Sequence, residues 1–340
     1  MKPYLIDVPV RLNVFVRPES LKQVFDVIRE ARPSILFLVS DGPRDDVPTD
    51  RERIEASRRV VENIDWDCSV HRLYSEINQG MYTTGRNASK YIWSKVDRCI
   101  FLEDDVVPSV SFFRFCAELL EKYKDDLRIS RICGMNHLGI YDEPNSDYFF
   151  SREGSIWGTA TWKRSHDIRD YTFSYGKDKY IIERLKENTK HEKNMMRKYI
   201  GYAKGELVDG HTAGGEFFWE CAVDLHNQLN IVATRNMICN IGVGDGSVHS
   251  ADSLKELPRG IRQVFFMKTY EYDFPLKHPQ FVIEDRNYEK KVNRIMGWGH
   301  PWVKFYRRIE SIIRKFMFGD KVKFIKKVKQ KIHGEKQIER

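Results

Sequence analysis

The chain has 340 residues, 41% of them hydrophobic, which is enough apolar material for a core and too much length for one small domain. There is no run of about 18 apolar residues, so no membrane span is expected, and the opening residues Met1-Lys2-Pro3-Tyr4-Leu5-Ile6-Asp7 lack the apolar stretch of a secretion signal. The net charge is +8, but residues 302–333 hold 11 Lys/Arg against two acids, Glu310 and Asp320, so the rest of the chain is close to neutral and a broad nucleic-acid-binding surface is excluded.

In chain order, residues 10–16 read as a strand, Arg17-Pro18-Glu19-Ser20 as a turn, and Leu21, Val24, Phe25 and Ile28 recur at helical spacing over 20–31. Residues 34–40 form a second, wholly apolar strand that stops at Asp41-Gly42-Pro43. A charged helix is expected over 49–63, a strand over 69–73 and a helix over 87–95. The short apolar strand Arg98-Cys99-Ile100-Phe101-Leu102 then runs into Glu103-Asp104-Asp105. A helix over 111–122 and a strand over 131–135 follow. Beyond them the pattern is less regular: charged helical residues at 177–200, a Gly-rich loop at 205–215, a helix at 216–227 and a strand at 231–234. The six cysteines sit mostly in apolar runs without CxxC or CxxH spacing, which suits a reducing, cytoplasmic compartment better than a zinc site or a disulfide framework.

Alternating strands and helices predict an α/β fold, a Rossmann-like, mainly parallel sheet with flanking helices. Apolar strands without alternation are covered on both faces. Ligands of such sheets bind beyond the carboxyl ends of the strands, where Arg17, Asp41 and the acidic triplet all fall. Three adjacent acids repel one another unless a cation joins them. Mn2+ or Mg2+ takes carboxylate oxygens and bridges protein to a diphosphate; the plainer alternative is a solvated acidic turn.

The run Ile100-Phe101-Leu102-Glu103-Asp104-Asp105-Val106-Val107-Pro108-Ser109, with Phe112-Phe113, resembles the Glu-Asp-Asp segment of GT-A glycosyltransferases, above all the N-acetylglucosaminyltransferase I-like group. It is similar also to bacterial hemolytic-protein-like sugar transferases. Their later motifs recur as Ile156-Trp157-Gly158-Thr159-Ala160-Thr161-Trp162-Lys163-Arg164 and Asn240-Ile241-Gly242-Val243-Gly244-Asp245-Gly246-Ser247-Val248-His249. The resemblance covers roughly residues 10–250 and implies a GT-A type nucleotide-diphospho-sugar transferase fold. By this resemblance Asp105 binds the metal, Asp104 and Glu103 contact ribose and sugar, Asp41 pairs with uracil and Arg17 lies near the nucleotide.

The resemblance also implies an inverting reaction, in which a base deprotonates the acceptor hydroxyl while the metal stabilises the departing diphosphate. The family places an Asp just before a Trp; here Gly215-Glu216-Phe217-Phe218-Trp219 has Glu, with Glu220 one helical turn on as the competitor and a helix-start acid as the plain alternative. Trp157-Gly158 reads as a wall of the donor or acceptor pocket or as core, and His249 as a metal or diphosphate contact or a structural histidine. Lys163-Arg164 reads as near phosphate or as surface. Asn78-Gln79-Gly80 and Gly85-Arg86-Asn87 resemble the family's Gly-containing stretch before the triplet, a resemblance that implies a place near the diphosphate.

The expected organisation is a transferase domain over 1–255, with a nucleotide-binding half (1–110) and an acceptor half (111–255), an irregular extension over 256–300 and a basic amphipathic tail over 301–340. That tail interleaves aromatics with Lys/Arg and suits an anionic membrane surface, placing the protein on the inner face of the cell membrane. The expected partners are a UDP-linked sugar donor and a glycan or lipid-linked glycan acceptor of bacterial surface polysaccharide synthesis, with no nucleic acid. The alternatives are a sugar-nucleotide nucleotidyltransferase, for which residues 10–20 lack a Gly-rich phosphate loop, and a non-catalytic membrane-associated protein on a transferase fold.

Overall fold

A computed structural model describes residues 1–188, 193–208, 210–244 and 253–319. The chain opens with β1 (Val10–Val14), α1 (Pro18–Ala31), β2 (Ile35–Ser40), α2 (Asp50–Val60), β3 (Ser69–Tyr74), α3 (Met81–Lys95) and β4 (Arg98–Glu103). β5 (Val106–Pro108), α4 (Ser111–Lys122), β6 (Ile129–Cys133), β7 (Tyr148–Ser151), β8 (Thr159–Trp162) and α5 (Lys163–Asp167) follow. The remaining elements are α6 (Lys179–Asn188), α7 (Lys193–Ala203), α8 (Gly215–Leu225), β9 (Leu229–Ala233), β10 (Ile238–Asn240), α9 (Arg259–Arg262), α10 (Arg286–Met296) and α11 (Pro301–Phe318).

The fold is α/β. Eight strands form one sheet in the order β3-β2-β1-β4-β8-β6-β9-β7. β3, β2, β1 and β4 pair in parallel, β8 runs against its neighbours, β6 and β9 are parallel, and β7 closes the edge antiparallel. Six strands therefore point one way, which makes the sheet mainly parallel. The helices supply the apolar stripes that cover it. In α1 the buried residues Leu21, Val24, Phe25, Ile28 and Ala31 follow helical spacing, and Pro18 starts the helix where no amide hydrogen is needed. In α4, Phe112, Phe113, Phe115, Cys116, Leu119 and Leu120 do the same.

Two compact units divide the chain discontinuously. The first comprises residues 1–169, 225–241 and 266–289; the second comprises 170–224, 242–265 and 290–340. The first contains the whole sheet. The second has an aromatic cluster in which Tyr199, Tyr202 and Phe217 meet at centroid separations of 4.8 to 5.5 Å. Asp170 holds the turn ahead of this cluster by accepting hydrogen bonds from Thr172, Ser174 and the Tyr175 amide.

The first half of the sheet matches the sequence expectation closely, with α3 starting earlier than expected, at Met81, and the expected helical stretch at 177–200 divided into α6 and α7. β5, β7, β8 and β10 were not expected. Arg164 is no phosphate ligand candidate: its guanidinium lies over Trp162 and donates to the carbonyls of Tyr123, Lys124 and Ile129, closing the end of α4 onto β6.

Candidate functional site

The register of the sheet brings three polar strand ends level. Val14 at the end of β1 pairs with Ser40 at the end of β2, and Asn13 pairs with Glu103 at the end of β4. β2 and β3 lie to one side of β1 and β4 to the other, so the chain reverses its direction of winding at the β1/β4 boundary. A crevice opens at such a switch point because neighbouring connections leave in opposite directions.

Asp104 and Asp105 form the two-residue turn between β4 and β5 at that boundary. Both are buried. One oxygen of Asp104 accepts from the Phe15 amide at 3.2 Å, and the other lies 3.3 Å from Arg17 Nη1. The same nitrogen of Arg17 pairs with Asp105 Oδ2. Arg17 is carried to this point by the loop after β1, whose Val16 carbonyl is held at 2.7 Å by Arg53 of α2. Two carboxylates thus face a single guanidinium. Burial pushes Asp104 up to about 7, with Arg17 opposing and the charge of Asp105 adding to the rise; burial likewise raises Asp105 against the pull of Arg17. Glu103 is different: it is the last residue of β4, paired opposite Asn13, on the sheet face where the Arg11 guanidinium lies over Phe101.

β10 fixes the turn from its far side. It pairs antiparallel with β5, and the Ile241 amide donates to the Asp105 carbonyl at 2.9 Å. Gly158 supports this ribbon. Its φ is +63°, and a Cβ there would fall 2.1 Å from Ile238 Cδ1 of β10. Its carbonyl accepts from the Gly134 amide at 3.0 Å. Gly158 therefore serves close packing beneath β10, while the amide of half-buried Trp157 bonds to Ser155 Oγ at 3.1 Å.

Asp41 closes the other side of the strand ends. Its Oδ1 accepts from the amides of Gly42 and Gln79, each at 2.9 Å, while Asn78 donates to the Gly42 carbonyl at 2.8 Å. Oδ2 has no hydrogen-bond partner among the described residues. Gly42 is required by space, since a Cβ would meet the Ile77 carbonyl carbon at 2.3 Å. Arg58 of α2 locks the arrangement by donating to Ser40 Oγ and to the carbonyls of Asp41 and Ser75. Sequence reading missed Arg58 because it sits in a charge-rich helix where every basic residue looks solvated. Its signal is that the position faces the end of β2, with Tyr74 beneath its guanidinium at 4.6 Å.

Glu216 and Glu220 are in the second unit, on α8. Glu216 is exposed in the first turn, where an acid favours the helix dipole; Glu220 is half-buried beside the Tyr199 hydroxyl and the Cys221 thiol, which burial raises first and the charge of Asp224 next, with that of Glu220 a lesser addition. His249 lies outside the described residues. The structure thus brings Arg17, Asp104 and Asp105 into direct contact, with Asp41 two strands away on the same sheet edge.

The donor set suits a hard divalent cation. Asp104 and Asp105 are the two protein carboxylates that would hold it once both are ionised, and no cluster of three or more His, Cys, Asp or Glu side chains that could hold a metal occurs among the described residues. A Mg2+-like ion held by so few protein oxygens would take its remaining ligands from water and phosphate.

No protein-family model matches this chain, and no curated protein matches it. Among solved structures it is similar to a UDP-glucose pyrophosphorylase complexed with UDP-glucose, at 7% identity and TM-score 0.35, over 68% of this chain and 92% of that one. It is similar also to the UTP-bound UGPase from Acinetobacter baumannii, at 13% identity and TM-score 0.34, over 69% and 88%. A third likeness is to A197 from STIV, at 12% identity and TM-score 0.27, over 53% and 76%. These values are too low to carry an activity from those proteins to this chain.

Proposed function

We propose that this protein is a metal-dependent glycosyltransferase that moves a sugar from a nucleotide-sugar donor, UDP-linked by the resemblance of its motifs, to a hydroxyl acceptor. The observation that carries the reading is the buried Asp104–Asp105 turn facing one guanidinium at the β1/β4 boundary. A bound Mn2+ or Mg2+ supplies Lewis-acid stabilisation of the diphosphate leaving group.

The chain's own residues orient the donor. Asp105, with its carbonyl tied to the Ile241 amide, offers a fixed carboxylate to the ion. Arg17, already positioned between the two acids, is a cation that can turn to a phosphate oxygen when a metal takes its place. Asp41 has one oxygen committed to the Gly42 and Gln79 amides, and its other oxygen suits the imide N–H of a uracil ring. In this reading Glu103 faces the sugar and Trp157 flanks the pocket, while a role for Glu216 or Glu220 as the base and for His249 at the metal rests on the motif resemblance alone.

The test is calorimetric titration of the purified protein with UDP, with and without Mn2+. Binding should require manganese in the wild type and be lost in Asp105→Ala, with Asp105→Asn as a variant that keeps the shape of the side chain. Donor turnover should fall by at least about a hundredfold, the scale on which single electrostatic groups act in such sites. Unchanged manganese-dependent binding in both variants rejects the assignment. Release of pyrophosphate from UTP and a sugar phosphate, in place of UDP from the donor, assigns the same pocket to a nucleotidyltransferase.

A further inference from the structure

α11 is amphipathic, and it is attached to the protein the wrong way round for a core helix. Val303, Arg307, Glu310 and Arg314 recur at helical spacing on one side, and this side meets the rest of the second unit. Arg307 donates to the carbonyls of Ile295 and Met296 at the end of α10. Glu310 accepts from the Arg259 amide at 3.0 Å and from Arg314 at 2.6 Å, and Arg314 reaches the Lys255 carbonyl at 3.2 Å. The polar side is thus bound by specific hydrogen bonds.

The opposite side is apolar and exposed. Trp302, Phe305, Tyr306, Ile309, Ile312, Ile313, Phe316 and Met317 lie on it, with Trp302 at 72% and Met317 at 63% of their full exposure. A continuous apolar stripe along an 18-residue helix exceeds the scattered exposed side chains normal for a protein in water. Arg308 and Lys315, both exposed, border this stripe along one edge. Residues 302–333 together carry nine more positive than negative charges by sequence. Among the described residues no helix is long and apolar enough to cross a membrane.

We propose that α11 lies flat on an anionic membrane surface, its apolar side entering the headgroup boundary and its basic edge, Arg308 and Lys315, facing acidic lipid headgroups. Charge selects this occupant. A second copy of the chain would bring the same basic edge against itself, whereas an acidic bilayer complements it and accepts aromatic side chains at the interface. The proposal is independent of the sugar-transfer reading.

Flotation of the full-length protein with vesicles tests it. The protein should rise with vesicles containing 30% phosphatidylglycerol and remain behind with pure phosphatidylcholine. Ile312→Asp with Phe316→Asp should cut binding by at least about a hundredfold, because both side chains leave water on insertion. Arg308→Gln with Lys315→Gln should cut it by about thirtyfold. All four positions are exposed, so the variants should melt like the wild type. Failure to float with anionic vesicles overturns the proposal. So does equal flotation with neutral vesicles. A lipid-free dimer in sedimentation velocity that the Ile312/Phe316 variant abolishes overturns it too, by assigning the stripe to a second copy.

Discussion

Asp104 couples the site to pH. Its folded pKa of about 7 lies far above the ordinary aspartate range, so the folded protein holds a proton that the unfolded chain releases from about pH 4 upward. The corresponding stability is whole below that pH and disappears as pH rises through about 7. The metal-free wild type should therefore lose a few degrees of melting temperature between pH 5 and 8 relative to Asp104→Asn, whose amide does not ionise. Parallel melting curves would show that Arg17 already neutralises the acid. Residues of this kind were partly legible in the sequence. The acids were visible because an apolar strand runs into them, and Arg17 because a strand ends before it. Their mutual contact was not, since it depends on the register between β1 and β4 and on the path of the loop held by Arg53.

At the scale of elements, legibility followed locality. α1 and α4 announce themselves by apolar spacing within a dozen residues, and β1, β2 and β4 by unbroken apolar runs. β8 reads as polar because it contains Thr159 and Thr161, yet it is central; Thr161 satisfies its hydroxyl on the Ser130 carbonyl at 2.7 Å. β5 and β10 are three residues each and exist only because they find each other across the chain. Gly158 is the point at which that ribbon meets the sheet. Gly158→Ala should lower stability by about 1–3 kcal/mol in urea denaturation, through the left-handed backbone and the collision with Ile238. Adding Ile238→Ala should cost less than the sum of the separate changes, because it removes the collision and leaves only the backbone strain. Full additivity would place the effect elsewhere.

Across the whole molecule the charge is segregated, with a near-neutral body and a basic carboxyl-terminal stretch. Two kinds of attraction to polyanions differ in their response to salt. Contact with a nucleic acid rests on counterion release and collapses between 50 and 200 mM salt, whereas insertion of apolar side chains is not screened. Retention on immobilised DNA should therefore vanish by about 200 mM NaCl while flotation with phosphatidylglycerol vesicles persists in reduced amount. Equal salt sensitivity of the two would mean that α11 contributes charge alone. The orientation of this helix has a consequence for how the sequence can change. Hydrogen bonds of Arg307, Glu310 and Arg314 hold α11 to the rest of the second unit, while the side chains of the outward row are exposed. Substitutions along the outward row should spare those hydrogen bonds, and those along the inward row should spare the outward chemistry. If α11 adheres to a membrane as proposed, adhesion and folding are inherited through largely separate sets of codons on one helix, so a lineage can retune one without retuning the other.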